Sequence, residues 1–307
     1  MSLNSKIKNL IKIMFDSDFR YLYLGGKGQL SHISDEEFIK KAYLINTGRC
    51  LDLYNPVSYT EKLQWLKLYD HNPRYTAMVD KYAAKEIVAS IIGAQYVIPT
   101  LGLWSSADDI DFEVLPNSFV LKCTHDSGST ILCKDKNNAN LPKMRKKLKK
   151  YIKRNYYHCS REWPYKNVLP QIIAEPYMED SEDRELRDYK FFTFNGEPRI
   201  LYITQGRGNK EETVADFYDM EFNHLNIEVD HKMSKNPPHP PQNFNLMKKL
   251  AKELSKGTPQ LRVDFYEVNG KVYFGEMTFF HCSGFNLFKP IEWENKLGEW
   301  VKLPEKI

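Results

Sequence analysis

Residues 260–285 read QLRVDFYEVNGKVYFGEMTFFHCSGF, and the pairing of this stretch decides how the rest is read. Asn269-Gly270 lies between two runs rich in Val, Phe and Tyr, the strongest short hairpin signal. The first run carries Arg262 and Asp264, the second Glu276 and Thr278. Acids inside apolar strands are out of place unless another charge offsets them. Register decides whether they cooperate. A strict two-residue loop would pair Val268 with Lys271 and send Asp264 and Glu276 to opposite faces. A three-residue loop, with Gly270 in the left-handed bulge position, pairs Glu267 with Lys271. Arg262, Asp264, Phe274 and Glu276 then share one face, with Arg262 opposite Glu276, and this is the expected arrangement. Cross-strand neighbours lie about 4.5–8 Å apart, close enough to hold one cation.

Two carboxylates and an arginine on one face suit Mg²⁺ carried on nucleotide phosphates. Mg²⁺ takes one or two protein carboxylates and fills its other positions with phosphate oxygens and water. The arginine would neutralise charge on a transferring phosphoryl group. The same residues also suit an ion network that only braces a hairpin. These residues alone leave both readings open.

The chain has 307 residues, enough for two or three lobes with sizeable cores. Hydrophobic residues make up 42% and aromatics 13%, which excludes disorder. A net charge of +4 suits an anionic ligand without demanding nucleic acid. The five cysteines form no Cys-x-x-Cys pair and no zinc spacing, so a reduced, cytoplasmic protein is expected. No apolar run reaches eighteen residues, and the N-terminus lacks the marks of a secretory signal.

Residues 4–16 have apolar positions at 7, 10, 11, 14 and 15, a helical stripe backed by Lys6, Lys8 and Lys12. Such a helix packs on its own domain or lies on an anionic membrane. Ser34-Asp35-Glu36-Glu37 and Ser58 or Thr60 signal two further helix starts. A helix is expected over residues 75–93, carrying Asp80-Lys81 and ending in Gly. A strand is expected at 96–98. Residues 117–135 read as strand, small polar loop, strand, with Lys122 ending the first strand and Gly128 free to bend. Such a loop can close over phosphates through its backbone N–H groups. Asp126 within it is awkward, because its charge would repel a phosphate. Residues 141–155 form a basic helix with no aromatic ladder, which speaks against base reading. Residues 168–178 form a strand that stops at Pro176 and runs into a polar segment at 179–187, a hinge candidate. Asn195-Gly196 makes a second hairpin between 188–194 and 198–204, with Asp188 and Lys190 on one face. Gly206-Arg207-Gly208 follows as a loop.

In this order, DKYAAK, FVLKCTHDSG, EPYM, DYKFFTFNG, RVDFY and YFGEMTF…SGF resemble the ATP-grasp superfamily, and the TupA-like family within it, from about residue 46 to 303. The resemblance implies an α+β ATP-grasp fold: two α+β lobes gripping ATP, with a helical N-terminal region. The expected division is 1–75, 76–177 and 178–307. It implies that Lys81 and Lys122 contact nucleotide phosphates and that the loop of His125, Asp126, Ser127, Gly128 and Ser129 folds over them. Glu175 and the backbone of Tyr177 and Met178 would hold adenine. Asp188 and Lys190 would stand near ribose and phosphate. Asp264, Glu276 and Thr278 would hold Mg²⁺, and Arg262 would lie beside an acyl phosphate. The implied cofactors are ATP and Mg²⁺. The implied reaction joins a carboxylate to an amine, releases ADP, and serves bacterial surface polysaccharides such as capsule, O-antigen or teichuronopeptide. A carboxylate-bearing glycan or sugar acid and an amino compound would be the substrates, with possible contact at the inner face of the membrane. A sugar kinase or a glycosyltransferase is the alternative. Against the latter, Asp109-Ile110-Asp111 sits in an acidic loop segment, not at a strand end.

Overall fold

Helical patterning at the N-terminus gives way to two runs of strands, and the computed structural model follows that order. It describes residues 3–181, 186–206 and 213–306. Residues 182–185 of the polar hinge segment at 179–187 and the Arg207-Gly208 part of the glycine loop therefore lie outside the described residues. Helices α1 (Leu3–Phe15), α2 (Ser17–Gly26), α3 (Asp35–Thr47), α4 (Tyr59–Tyr69), α5 (Arg74–Val79) and α6 (Ala83–Ile92) come first. Ser34 and Ser58 cap α3 and α4, and Ser58 forms the reciprocal pair with Glu61. The single helix expected over 75–93 is two helices. Asp80 interrupts it, because its Oδ1 accepts from the N–H groups of Tyr82 and Ala83 and starts α6 afresh. The strand expected at 96–98 is absent; Ala94–Tyr96 is a 3₁₀ turn after Gly93.

The next strands are β1 (Gly102–Trp104), β2 (Phe119–Cys123) and β3 (Ile131–Cys133), followed by the basic helix α7 (Leu141–Tyr151) and the short α8 (Tyr157–Ser160). With β4 (Ile172–Pro176) they form an antiparallel sheet in the order β1-β4-β2-β3. One side of it packs on Leu148 of α7 together with Ile110, Phe112 and Leu115.

The second sheet holds β5 (Asp188–Phe194), β6 (Glu197–Gln205), β7 (Val214–Tyr218), β8 (His224–Leu225), β9 (Gln260–Val268) and β10 (Lys271–Thr278), in the order β10-β9-β5-β6-β7-β8. Helix α9 (Phe244–Leu254) lays Phe244, Met247, Leu250, Ala251 and Leu254 into its core, and α10 (Ile291–Trp300) closes the chain. Met78, Val79, Ala84 and Val88 of α5 and α6 join the same core, as do Leu63 and Leu66 of α4. Fully burying such a side chain contributes about 1.5–3 kcal/mol, so α4, α5 and α6 are bound firmly to this sheet. Among the described residues no helix is long and apolar enough to cross a membrane.

The deciding hairpin differs from the expected register. Its loop is the strict two-residue one: Val268 pairs with Lys271 and Glu267 with Val272. Phe274 pairs with Phe265, and both lie in the apolar core rather than beside the acids. A bulge at Gly275 then shifts the pairing by one residue. Glu276 therefore stands opposite Asp264, and Thr278, not Glu276, stands opposite Arg262. Glycine suits the bulge because a Cβ at 275 would come within 3.1 Å of the Asp264 carbonyl and the Tyr266 ring. The acids share a face, as expected, but the bulge puts them there and the loop does not.

Candidate active site

Antiparallel pairing places one residue from each of four neighbouring strands in a row: Tyr202, Lys190, Asp264 and Glu276. Directly paired residues share a face, so an ammonium and two carboxylates line one wall. Arg262 and Asp188 lie two residues along their strands and face the same way. Arg262 Nε and Nη2 donate to the two Asp264 oxygens at 2.7 Å each, and Nη2 also donates to Glu276 Oε1 at 2.7 Å. Thr278 Oγ1 donates to the same Glu276 oxygen at 3.0 Å. Lys190 Nζ donates to Asp188 Oδ2 at 2.6 Å and reaches Thr204 Oγ1 at 3.4 Å.

Burial pushes Asp264 up to about 6, against the pull of Arg262 and Lys190. Burial works the same way on Glu276, but there Arg262, Lys81 and Lys190 outweigh it and hold the carboxyl below its usual range. The Glu276 side chain keeps 45% of its surface accessible, while Asp264 keeps 3%. Glu276 is thus the open acid of the pair.

The wall facing this sheet comes from elsewhere in the chain. Lys81 stands in the break between α5 and α6. Its N–H donates to the Thr124 carbonyl at 3.1 Å, and its Nζ donates to the Asp126 carbonyl. Burial lowers the Lys81 ammonium below its usual range, opposed chiefly by the negative charge of Glu276. Lys122 Nζ donates to Glu175 Oε2 at 2.7 Å, and Lys85 Nζ bonds the other Glu175 oxygen at 2.7 Å. The two lysines outweigh burial and keep Glu175 below the usual carboxylate range. The Glu175 side chain is therefore the counterion of two lysines. Tyr177 follows β4 with its hydroxyl on Glu179 at 3.0 Å, and Met178 lies beside it in the same irregular segment.

Within the polar loop Ser127, Gly128 and Thr130 are exposed, and Gly128 has φ +83°. His125 is turned inward, its Nε2 on the Arg154 carbonyl at 2.9 Å, and burial lowers its basicity. Asp126 is also turned inward. Its Oδ1 accepts from Ser129 Oγ, which accepts in turn from the Cys123 N–H at 2.9 Å. Burial raises the Asp126 carboxyl toward its neutral form. Asp126 is buried and braces the loop from behind.

Sequence reasoning missed His281, Lys85 and Asp230. Arg262 Nη1 meets His281 Nδ1 at 2.8 Å, so the neutral imidazole carries its proton on Nε2. Burial and the Arg262 charge hold His281 down at about 3. The Tyr202 hydroxyl donates to Asp230. Nothing local marks these residues; only the topology brings them to the wall.

The donor set is two carboxylates and a hydroxyl, all hard oxygens, and it suits Mg²⁺ better than a thiophilic metal. Asp230, His281 and Cys282 also cluster. The Arg262 donor fixes the wrong His281 tautomer for a ligand there, and burial pushes the Cys282 thiol up to about 12.

The family model described as TupA-like ATP-grasp matches residues 61–302. The chain belongs to that family. No curated protein matches the chain. Among solved structures, D-alanine–D-alanine ligase of Bacillus anthracis in complex with ATP is similar at 12% identity, covering 93% of this chain and 92% of that one, with a TM-score of 0.48. D-cycloserine synthetase DcsG matches at 15% identity over 75% and 71% of the chains, with a TM-score of 0.38. The ligase PsnB, bound to its minimal precursor, Mg and ADP, matches at 10% over 72% and 57%, with a TM-score of 0.38.

Proposed function

We propose that the chain is an ATP- and Mg²⁺-dependent carboxylate–amine ligase that works through an acyl phosphate and releases ADP. One observation carries this reading: Asp264, Glu276, Thr278 and Arg262 gather on one wall, and the charge of Lys81 reaches Glu276 from the other. In this reading Lys81 and Lys122 hold the phosphates, and Ser127, Gly128 and Ser129 cover them, with His125 acting through its backbone. Tyr177 and Met178 offer backbone groups to adenine, with Glu175 fixing the lysines beneath. Asp188 steadies Lys190, and Lys190 and Arg262 face the transferring phosphoryl group. Asp264, Glu276 and Thr278 would hold Mg²⁺, whose part is to neutralise phosphate charge. No covalent enzyme nucleophile is required; rate comes from positioning and charge.

The proposed division into 1–75, 76–177 and 178–307 gives one lobe to each wall. The proposed substrates are a carboxylate on a bacterial surface glycan or sugar acid and an amino compound, after the family's association with capsule, O-antigen and teichuronopeptide. The exposed Ile7, Leu10, Ile11, Met14 and Phe15 of α1 support contact with the inner face of an anionic membrane, and so a cytoplasmic enzyme working at that surface.

The test is hydroxylamine trapping with a panel of uronic and amino acids, ATP and Mg²⁺. A ligase gives hydroxamate and ADP together. ADP without hydroxamate means a kinase, and turnover of a nucleotide sugar without ATP means a glycosyltransferase; either result overturns the proposal.

A further inference from the structure

Behind β10 the backbone turns through three consecutive left-handed residues. Cys282, Ser283 and Gly284 have φ of 47°, 54° and 62°. A non-glycine residue is strained there, so such a run persists only where its surroundings hold it. The groups that hold it come from outside the two sheets. Gln64 Nε2 of α4 donates to the carbonyls of Ser283 and Gly284 at 3.2 and 2.6 Å. Lys67 Nζ, one turn further on, donates to the Ser283 carbonyl at 2.7 Å, the Ser160 carbonyl at 3.1 Å and Gln64 Oε1 at 3.0 Å. Glu162 Oε1 accepts from Ser283 Oγ at 2.7 Å and from Ser160 Oγ at 2.9 Å. Gln64, Lys67 and Glu162 are all buried.

A buried ammonium and a buried carboxylate therefore flank one serine, the ammonium on its carbonyl and the carboxylate on its hydroxyl. Removing two charges from water is expensive, and a plain turn does not need it. The fit is close: a Cβ at Gly284 would come within 2.5 Å of Gln64 Nε2. The turn also touches the site, since His281, just before it, meets Arg262 at 2.8 Å.

We propose that Gln64, Lys67 and Glu162 are positioning residues: they lock the Cys282–Gly284 run so that His281 fixes the Arg262 guanidinium between Asp264 and Glu276. The helical N-terminal region is then part of the ligase machinery. The role given to Arg262 rests on the function proposed above.

The test uses the full chain with Lys67→Met, and Gln64→Leu as the milder change should Lys67→Met fail to fold. Arg145→Ala is the control for lost stability, because Arg145 ties down the carbonyls of Ala107, Asp108 and Ile110 in the other sheet's core. Three readings are taken: kcat for hydroxamate formation, KM for ATP, and the ring ¹⁵N signals of His281, assigned by their loss in His281→Gln. We expect Lys67→Met or Gln64→Leu to lower kcat at least ten-fold, to leave KM for ATP within about two-fold, and to move the His281 signals. Arg145→Ala should do none of these. Unmoved His281 signals with unchanged kcat overturn the inference and leave the ligase reading standing. Moved signals in a protein that forms no hydroxamate with any carboxylate sink the ligase reading and keep the lock.

Discussion

Replacing Asp264 by asparagine separates a metal site from a mere brace. Both Asp264 oxygens accept from Arg262 at 2.7 Å, and the pair lies in a buried part of the wall. Asparagine keeps the shape but turns one acceptor into a donor that faces the guanidinium. Breaking one partner of a buried ion pair costs about 3–5 kcal/mol. Glu276 and His281 still hold Arg262, so the lower end, about 3 kcal/mol, is expected. For a chain of this size that lowers Tm by about 6–12 °C. The second arm is ligand stabilisation. At a hundred times its Kd, MgATP adds about 2.7 kcal/mol to the wild type, a rise of about 5–11 °C. In Asp264→Asn that rise should vanish, and turnover with it. The assay is thermal unfolding with and without MgATP, beside ADP release. A variant that melts low yet keeps the whole MgATP rise would show a brace and refute the metal site. One that melts like the wild type would refute the ion-pair accounting.

Glu175→Gln leaves Lys85 and Lys122 facing each other without a counterion, and it should lose about 3 kcal/mol in urea unfolding; an unchanged midpoint would contradict this. Glu294 is buried and accepts from the Thr60 N–H, the Thr60 hydroxyl and the Phe288 N–H at 2.7, 2.6 and 3.0 Å. Glu294→Ala should cost roughly 3 kcal/mol, as three buried donors lose their acceptor, again read from urea unfolding. Burial lowers Lys67 from 10.5 to about 7. The unfolded chain therefore binds the extra proton between those values, and stability should rise with pH across that window. Lys67→Met removes this contribution, so unfolding free energies of the two proteins at pH 6 and 9 should differ by unequal amounts. A wild-type advantage that shrinks with rising pH would contradict the sign.

The strands around both Asn-Gly turns were legible because turn chemistry and alternation agree there, and the family resemblance supplied their order. The register was legible only in outcome. Gly275, just before Glu276, was the available hint of a bulge, and the turn at Asn269-Gly270 was read instead. The break at Asp80 was hidden for a similar reason: the apolar spacing continues through it, while a side chain takes over the capping. Asp126 looked like a flaw because sequence shows a charge and not the direction it points. The long-range partners left no local trace. Gln64 finds the carbonyls of residues 283 and 284, Thr60 finds Glu294, and Lys122 finds Glu175. No periodicity reports pairs so far apart.

The ion network and the metal site are not rival descriptions of the same residues. Asp188, Asp264 and Glu276 carry three negative charges, and Lys81, Lys190 and Arg262 carry three positive ones, all within reach of Glu276 or its immediate partners. Among these described groups the charges around Glu276 therefore nearly balance, the three acids on this sheet opposed by Arg262, Lys190 and the facing Lys81, which is how a sheet face tolerates acids that would otherwise be prohibitive to bury. Neutrality also means that a bare divalent cation gains little from it. In the proposed reading a triphosphate would change the balance, because its oxygens would give Arg262 an anionic partner in place of the carboxylates it now holds and Lys81 one in place of the Asp126 carbonyl. Arg262 could then release an Asp264 oxygen without being left unpaired, and the acids would become available to a cation carried on the phosphates. The open side chain of Glu276 and the closed one of Asp264 fit that proposed order of events: the first carboxylate is already accessible, and the second would be released only when nucleotide offered the guanidinium something better.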